Sequence, residues 1–147
     1  MATKKPLVQT NGKIEELQAG DTIESGVEGI SALNNTGSQI DKGKAVHLKN
    51  NAGTLECELA DASDNTKPCH GFAAANIPNS QSGTILRDGV MTDLSGLTPG
   101  ADQWLSETAG AITETVPTTS GAINQVVGQA ISTTSFEIDI EPEVRLA

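Results

Sequence analysis

From Ala45 onward the chain alternates apolar and polar positions over short runs, and the runs are separated by glycine-bearing turns. In Ala45–Lys49, AVHLK, Val46 and Leu48 fall on one face and His47 and Lys49 on the other. Asn50-Asn51-Ala52-Gly53 turns the chain back into Thr54–Leu59, where Leu55, Cys57 and Leu59 are expected inward and Glu56 and Glu58 outward. This period of two predicts half-buried β-strands. The clearest alternation is Ser135–Glu141, with Phe136, Ile138 and Ile140 against Glu137, Asp139 and Glu141. Gly71–Ile77 is apolar enough for a buried strand, although its alanines also suit a short helix. Thr84–Arg87 and Gly89–Thr92 read as two short strands meeting at Asp88-Gly89, a dipeptide that favours hairpins.

Sliding the chain against itself by 57 positions pairs Gly43 with Gly100, Leu48 with Leu105, Ala52 with Ala109, Gly53 with Gly110, Ser63 with Ser120, Gly71 with Gly128 and Ala73 with Ala130. This predicts one supersecondary unit used twice: a turn, a strand, a hairpin loop, a returning strand, a polar loop and a third strand carrying Gly-x-Ala. Nowhere does an apolar stripe of helical period run for helical length, and Ile14–Leu17 is the nearest candidate. The fold class is therefore mainly β, a compact β-barrel or two-sheet sandwich with a duplicated hairpin unit.

Residues 1–30 differ in character, with Lys4-Lys5-Pro6, the short run Leu7-Val8-Gln9, the turn pair Asn11-Gly12 and a polar stretch through Asp21. They read as an extended N-terminal arm preceding a domain at 31–147, one that gains order by adding a strand to an exposed sheet edge. A first strand and loop of the same domain is the competing reading.

Composition narrows the function. The 147 residues carry 19 acids against 9 lysines and arginines, a formal charge of −10, so a phosphate backbone would be repelled and direct nucleic-acid binding is not expected. No run of about 18 apolar residues offers a membrane span. Only 2% of residues are aromatic, with no Tyr and a single Trp, so the core must come from aliphatic side chains, and association would add buried apolar surface.

Candidate chemistry is sparse. Cys57, Cys69, His47 and His70 are the residue types a zinc site needs, but their spacing matches no tight ligand pair and the histidines fall at unrelated strand positions. Two free thiols are expected instead, with Cys57 in a core, His70 capping a strand and His47 on a polar face. Asp61, Asp64 and Asn65 resemble a calcium loop, but the later bidentate Glu is missing, and a solvated turn accounts for them. Glu137 and Asp139 read as the wet face of an edge strand. Neither a nucleophile elbow nor a phosphate loop occurs. No catalytic residue, cofactor or metal is expected.

The order GKAVHL…AGTL…A…CHGFAAANI followed by DGV…GLTPGADQWLSETAGAIT…P…QVVGQAIS, over roughly Gln39 to Ile131, resembles the capsid decoration, or cement, proteins of tailed bacteriophages. The resemblance rests on turns and small residues. It implies a homotrimer on the outer surface of the virion, made in the host cytoplasm, that clamps neighbouring subunits of the major capsid protein. It also implies that the arm, through Lys4, Lys5, Pro6, Leu7, Val8 and Lys13, reaches across to a capsid subunit or a sister protomer. Trp104, Leu105 and Ile112 are candidates for the protomer interface, with a core role as the alternative for Trp104. Similar hairpins occur in phage head and tail fibres, so a module binding a receptor or glycan is the second reading, against which the scarcity of aromatics counts. A β-barrel hydrolase is the third.

Overall fold

Two tight turns, Asp41–Lys44 and Thr98–Ala101, are closed by Lys44 N–H donating to Asp41 O at 3.2 Å and Ala101 N–H donating to Thr98 O at 3.0 Å. Each places a glycine third, Gly43 at φ 85° and Gly100 at φ 87°, the left-handed geometry a type II turn requires. They open two versions of one strand arrangement. The computed structural model describes residues 29–147 and, before them, the backbone of strands β1 (Leu7–Thr10) and β2 (Lys13–Glu16). These two pair antiparallel, with Thr10 opposite Lys13.

The first unit comprises β3 (Gly29–Asn34), β4 (Ala45–Asn51), β5 (Thr54–Leu59), β6 (Gly71–Ala73) and β7 (Gln81–Leu86), closed as a barrel in the order β3-β5-β4-β6-β7. Closure comes from a parallel contact of β3 with β5, Leu33 opposite Glu56 and Asn34 opposite Cys57. The second unit comprises β8 (Val90–Met91), β9 (Asp102–Leu105), β10 (Ile112–Thr113), β12 (Val126–Ala130) and β13 (Phe136–Ile138), in the order β10-β9-β12-β13-β8. Between β10 and β12 lies β11 (Ile123–Asn124), which pairs with the C-terminal β14 (Val144–Arg145). Position for position, β5-β4-β6-β7-β3 and β10-β9-β12-β13-β8 follow one plan, with every shared pairing antiparallel. The 57-residue repeat is thus a repeat of topology, although only the first copy closes. Among the described residues there is no helix, so the segment around Gly71 is a strand.

Two cores result. Ala32, Ile40, Val46, Cys57, Ala73, Ile77 and Ile85 fill the barrel. The larger core takes Ala45, Ala60, Cys69 and Phe72 from the first unit and Met91, Leu105, Val127, Phe136 and Ile138 from the second. At its centre the Phe72 and Phe136 rings meet edge to face, centroids 5.0 Å apart. The outer faces of β4 and β6 are thereby covered by the second sheet. Backbone bonds tie the units as well: Ala45 N–H donates to Gly110 O, Gly110 N–H to Ala60 O, and Ile123 N–H to Ala62 O. The buried Gln125 side chain completes the joint, its Oε1 accepting from Cys69 N–H at 2.8 Å and its Nε2 donating to Cys69 O and Glu141 O at 3.0 Å each.

Three expectations need correction. Asp88-Gly89 closes no hairpin: β7 pairs with β3 and β6, whereas β8 pairs with β13. The six-residue register with β3 outcompetes a two-residue neighbour, and Asp88-Gly89 becomes the link between the units. Alternation fails in β5, where Glu56 is buried and Leu55 is exposed. The Glu56 carboxylate accepts from Asn51 Nδ2 at 3.0 Å and Asn35 Nδ2 at 3.3 Å, which compensates its burial. Finally, β13 is not an edge strand, because it lies between β12 and β8. Its alternation nonetheless holds, with Phe136 and Ile138 buried and Glu137 and Asp139 exposed.

Candidate binding surface

The titratable groups singled out in the sequence are held by structural hydrogen bonds. Asp61 Oδ1 accepts from Ser63 N–H at 2.8 Å and Ser63 Oγ at 2.6 Å, and Asp64 Oδ1 accepts from Thr66 N–H at 2.9 Å and Thr66 Oγ1 at 2.6 Å. These consecutive Asx turns shape the loop between β5 and β6. The Thr66 bonds hold the Asp64 carboxyl below the usual carboxylate range. Cys57 lies in the barrel and Cys69 in the larger core, so the thiols occupy separate interiors. Burial pushes the Cys69 thiol up to about 12, far from a reactive thiolate. Among the described residues, no group of three or more His, Cys, Asp or Glu side chains is placed to hold a metal.

The histidines, contrary to expectation, lie together with ring centroids 4.6 Å apart. Cross-strand geometry brings them there. Immediately before β6 begins, His70 extends its ladder along β4: His70 N–H donates to Val46 O at 2.8 Å, and its Nδ1 accepts from Leu48 N–H at 3.0 Å. His70 therefore caps the strand, as its position in the sequence suggested. His47 is half-buried, and its Nδ1 lies 2.9 Å from Pro68 O, to which it donates. Burial first, then the neighbouring His47 and Arg87, lowers the His70 pKa below its ordinary value. The unfolded chain thus binds this proton more readily. Stability from His70 is complete above about pH 6.5 and is lost as pH falls toward the depressed folded value. We expect the urea midpoint to decline between pH 7 and pH 5, and His70→Gln to flatten that decline. Asp64, Asp93 and Glu114, whose pKa values are also lowered, add their own loss only below about pH 4.5. A slope in the His70→Gln variant matching the parent would contradict this assignment.

The proposed interface residues do not share a face. Leu105 is fully buried in the larger core, so it is unavailable to a partner. Ile112, opposite Leu105 on edge strand β10, packs partly on the same core. Trp104 lies on the other face of β9, half-buried between Thr113 and Val126. Trp104 and Ile112 remain accessible in part. Of the arm residues, Lys4, Lys5 and Pro6 lie outside the described residues, while Leu7, Val8 and Lys13 fall in β1 and β2, described only as backbone.

A groove of about 560 Å³ opens beside β10, lined by Leu94, Leu97, Ile112, Gln103, Asp93 and Glu114 among others. Its acidic rim is anchored on both sides. Glu114 Oε1 accepts from Thr98 N–H at 2.6 Å and from Gln103 Nε2 at 3.3 Å, and Asp93 pairs with Lys42 at 2.6 Å. These bonds lower both carboxyl pKa values; Lys42 pairs the Asp93 charge, and Glu114 keeps the rim negative at neutral pH. Sequence reasoning did not find this groove. The signal available was Gln103, a polar residue 57 positions after the core residue Val46.

Compared with models of known protein families and with characterised protein sequences, the chain matches none.

Proposed function

We propose that this chain is a structural protein of a tailed-phage virion, binding the outside of the capsid shell and cementing neighbouring subunits of the major capsid protein. The observation that carries this reading is the use of the chain's residues. Both halves build one five-strand plan around a common core, and the Asp61, Asp64, Cys69 and His70 side chains serve turns, strands and packing. A rigid β body with sheet edges at its surface is suited to binding by shape and backbone pairing. A homotrimer fits the need of an aromatic-poor chain to bury further apolar surface, and Val90, Ile131 and Val144 stand exposed on the body. The first part of the N-terminal arm, residues 4–13, carries three lysines and no acid on an otherwise acidic protein, suited to an acidic partner surface.

Sedimentation with empty capsid shells tests this reading. Full-length protein is expected to pellet with shells, and a version lacking residues 1–28, which retains all of β3, to bind at least about ten-fold more weakly. Full-length protein that stays in the supernatant would overturn the cement role. Binding to cell-surface glycans instead would favour a fibre module.

A further inference from the structure

The second unit is a barrel left open. In the first, β3 and β5 meet in parallel and close the ring; in the second, the counterparts β8 and β10 end the sheet on either side without pairing. Shifting by 57 carries Leu33 and Asn34 onto Val90 and Met91, and Glu56 and Cys57 onto Thr113 and Glu114. The groove of about 560 Å³ lies along this seam, bordered by residues 93–97 after β8 and residues 112–114 of and after β10. Its apolar side chains, Leu94, Leu97 and Ile112, pack partly on the larger core. Gln103, which replaces the barrel's Val46, is 1% exposed and lines the groove. Its Nε2 donates to Ala101 O and Glu114 Oε1 at 3.3 Å each, while its Oε1 has no partner among the described residues. A buried carbonyl oxygen of this kind calls for an N–H donor.

We propose that the seam between β8 and β10 receives the N-terminal segment, residues 4–13, of a second copy of this chain. The segment has the chemistry the seam lacks. Leu7–Thr10 is an extended strand, able to offer backbone N–H groups to a sheet edge and to Gln103 Oε1. Leu7 and Val8 match the apolar lining, and Lys4, Lys5 and Lys13 match Glu114, which no lysine or arginine pairs among the described residues. No acid precedes Glu15. A second copy, rather than the chain's own arm, is the occupant because association also covers apolar surface that the body leaves exposed, Val90 on β8 at the seam among it. Donation of an arm into the next copy's seam is head to tail, an arrangement that forms a ring when its rotation closes.

Full-length protein without shells provides the test, so a failure of capsid binding and a failure of arm exchange are separately visible. Solution mass is measured first, over a range of concentrations, then disulfide trapping. Val8→Cys mixed with Thr113→Cys under mild oxidation is expected to give a mixed dimer, because Thr113 borders the groove. Val8→Cys mixed with Thr54→Cys, at the β4–β5 hairpin and outside the groove lining, is expected to give none. The native thiols Cys57 and Cys69 are buried and do not compete. Lys4→Glu with Lys5→Glu, which leaves the body untouched, should weaken self-association by about ten-fold. A link formed only within one chain of the Val8→Cys/Thr113→Cys double variant would overturn the second-copy occupant. So would a monomer with no link in any mixture, or an association indifferent to the lysine reversal.

Discussion

Gly128→Ala is expected to destabilise the protein by about 3 kcal/mol or more, the upper end of what overpacking a core costs. A Cβ at Gly128 would press on the Glu137 carbonyl oxygen and on the Phe136 ring, whose Cδ2 would lie 2.6 Å away. The carbonyl belongs to the neighbouring strand β13, where Gly128 stands opposite Ile138, so relief requires the sheet itself to move. Gly71, the matching position of the first unit, meets the Leu86 carbonyl oxygen at 2.7 Å in the same way and is expected to respond similarly. Gly29→Ala is the control. Its Cβ meets at close range only the Cγ2 of Thr84, an exposed side chain that can turn into solvent, so the loss should be about 1 kcal/mol. Urea midpoints of the three variants decide the matter, and Gly128→Ala no worse than Gly29→Ala would refute the close-approach account.

The second large effect is expected from Phe72→Ala, a loss of about 3–5 kcal/mol. Phe72 is fully buried, and it projects from the barrel into the larger core toward Phe136. Removing it leaves a cavity between the two units rather than within one. The edge-to-face contact adds about 0.5–1.5 kcal/mol beyond burial, measurable as the coupling in a cycle with Phe136→Ala. Losses from the two truncations that simply add would show that the rings contribute by burial alone.

The duplication was legible because its markers are conformational necessities: Gly43 and Gly100 at left-handed turn positions, and Gly71 and Gly128 where a neighbouring strand leaves no room for a side chain. Residues chosen by backbone geometry keep their spacing even where the surrounding side chains differ. The two aspartate turns were legible for a related reason, since Asp61 and Asp64 act on residues two positions away. Long-range partners were not legible. Nothing local distinguishes Glu56, buried beneath two asparagine amides, from the exposed Glu137. Nor does Asp88-Gly89 reveal that β8 will pair with β13, 45 or more residues further on, instead of with its immediate predecessor. Of the candidate interface residues, Leu105 looked as available as Ile112, because strand alternation says which residues share a face but not which face is covered. The open seam was hidden for the same reason. It exists only as a difference between two strand orders, closed in one unit and unclosed in the other.

Trp104 gives the molecule a built-in reporter. With no tyrosine and no other tryptophan in the chain, its near-ultraviolet emission comes from one half-buried ring on β9, directly opposite Thr113 at the edge of the seam. Fluorescence therefore follows the second unit alone, whereas far-ultraviolet circular dichroism averages both. Unfolding curves from the two probes coincide only if the shared core makes the halves melt as one. The same ring offers a label-free optical signal for whatever settles beside β10.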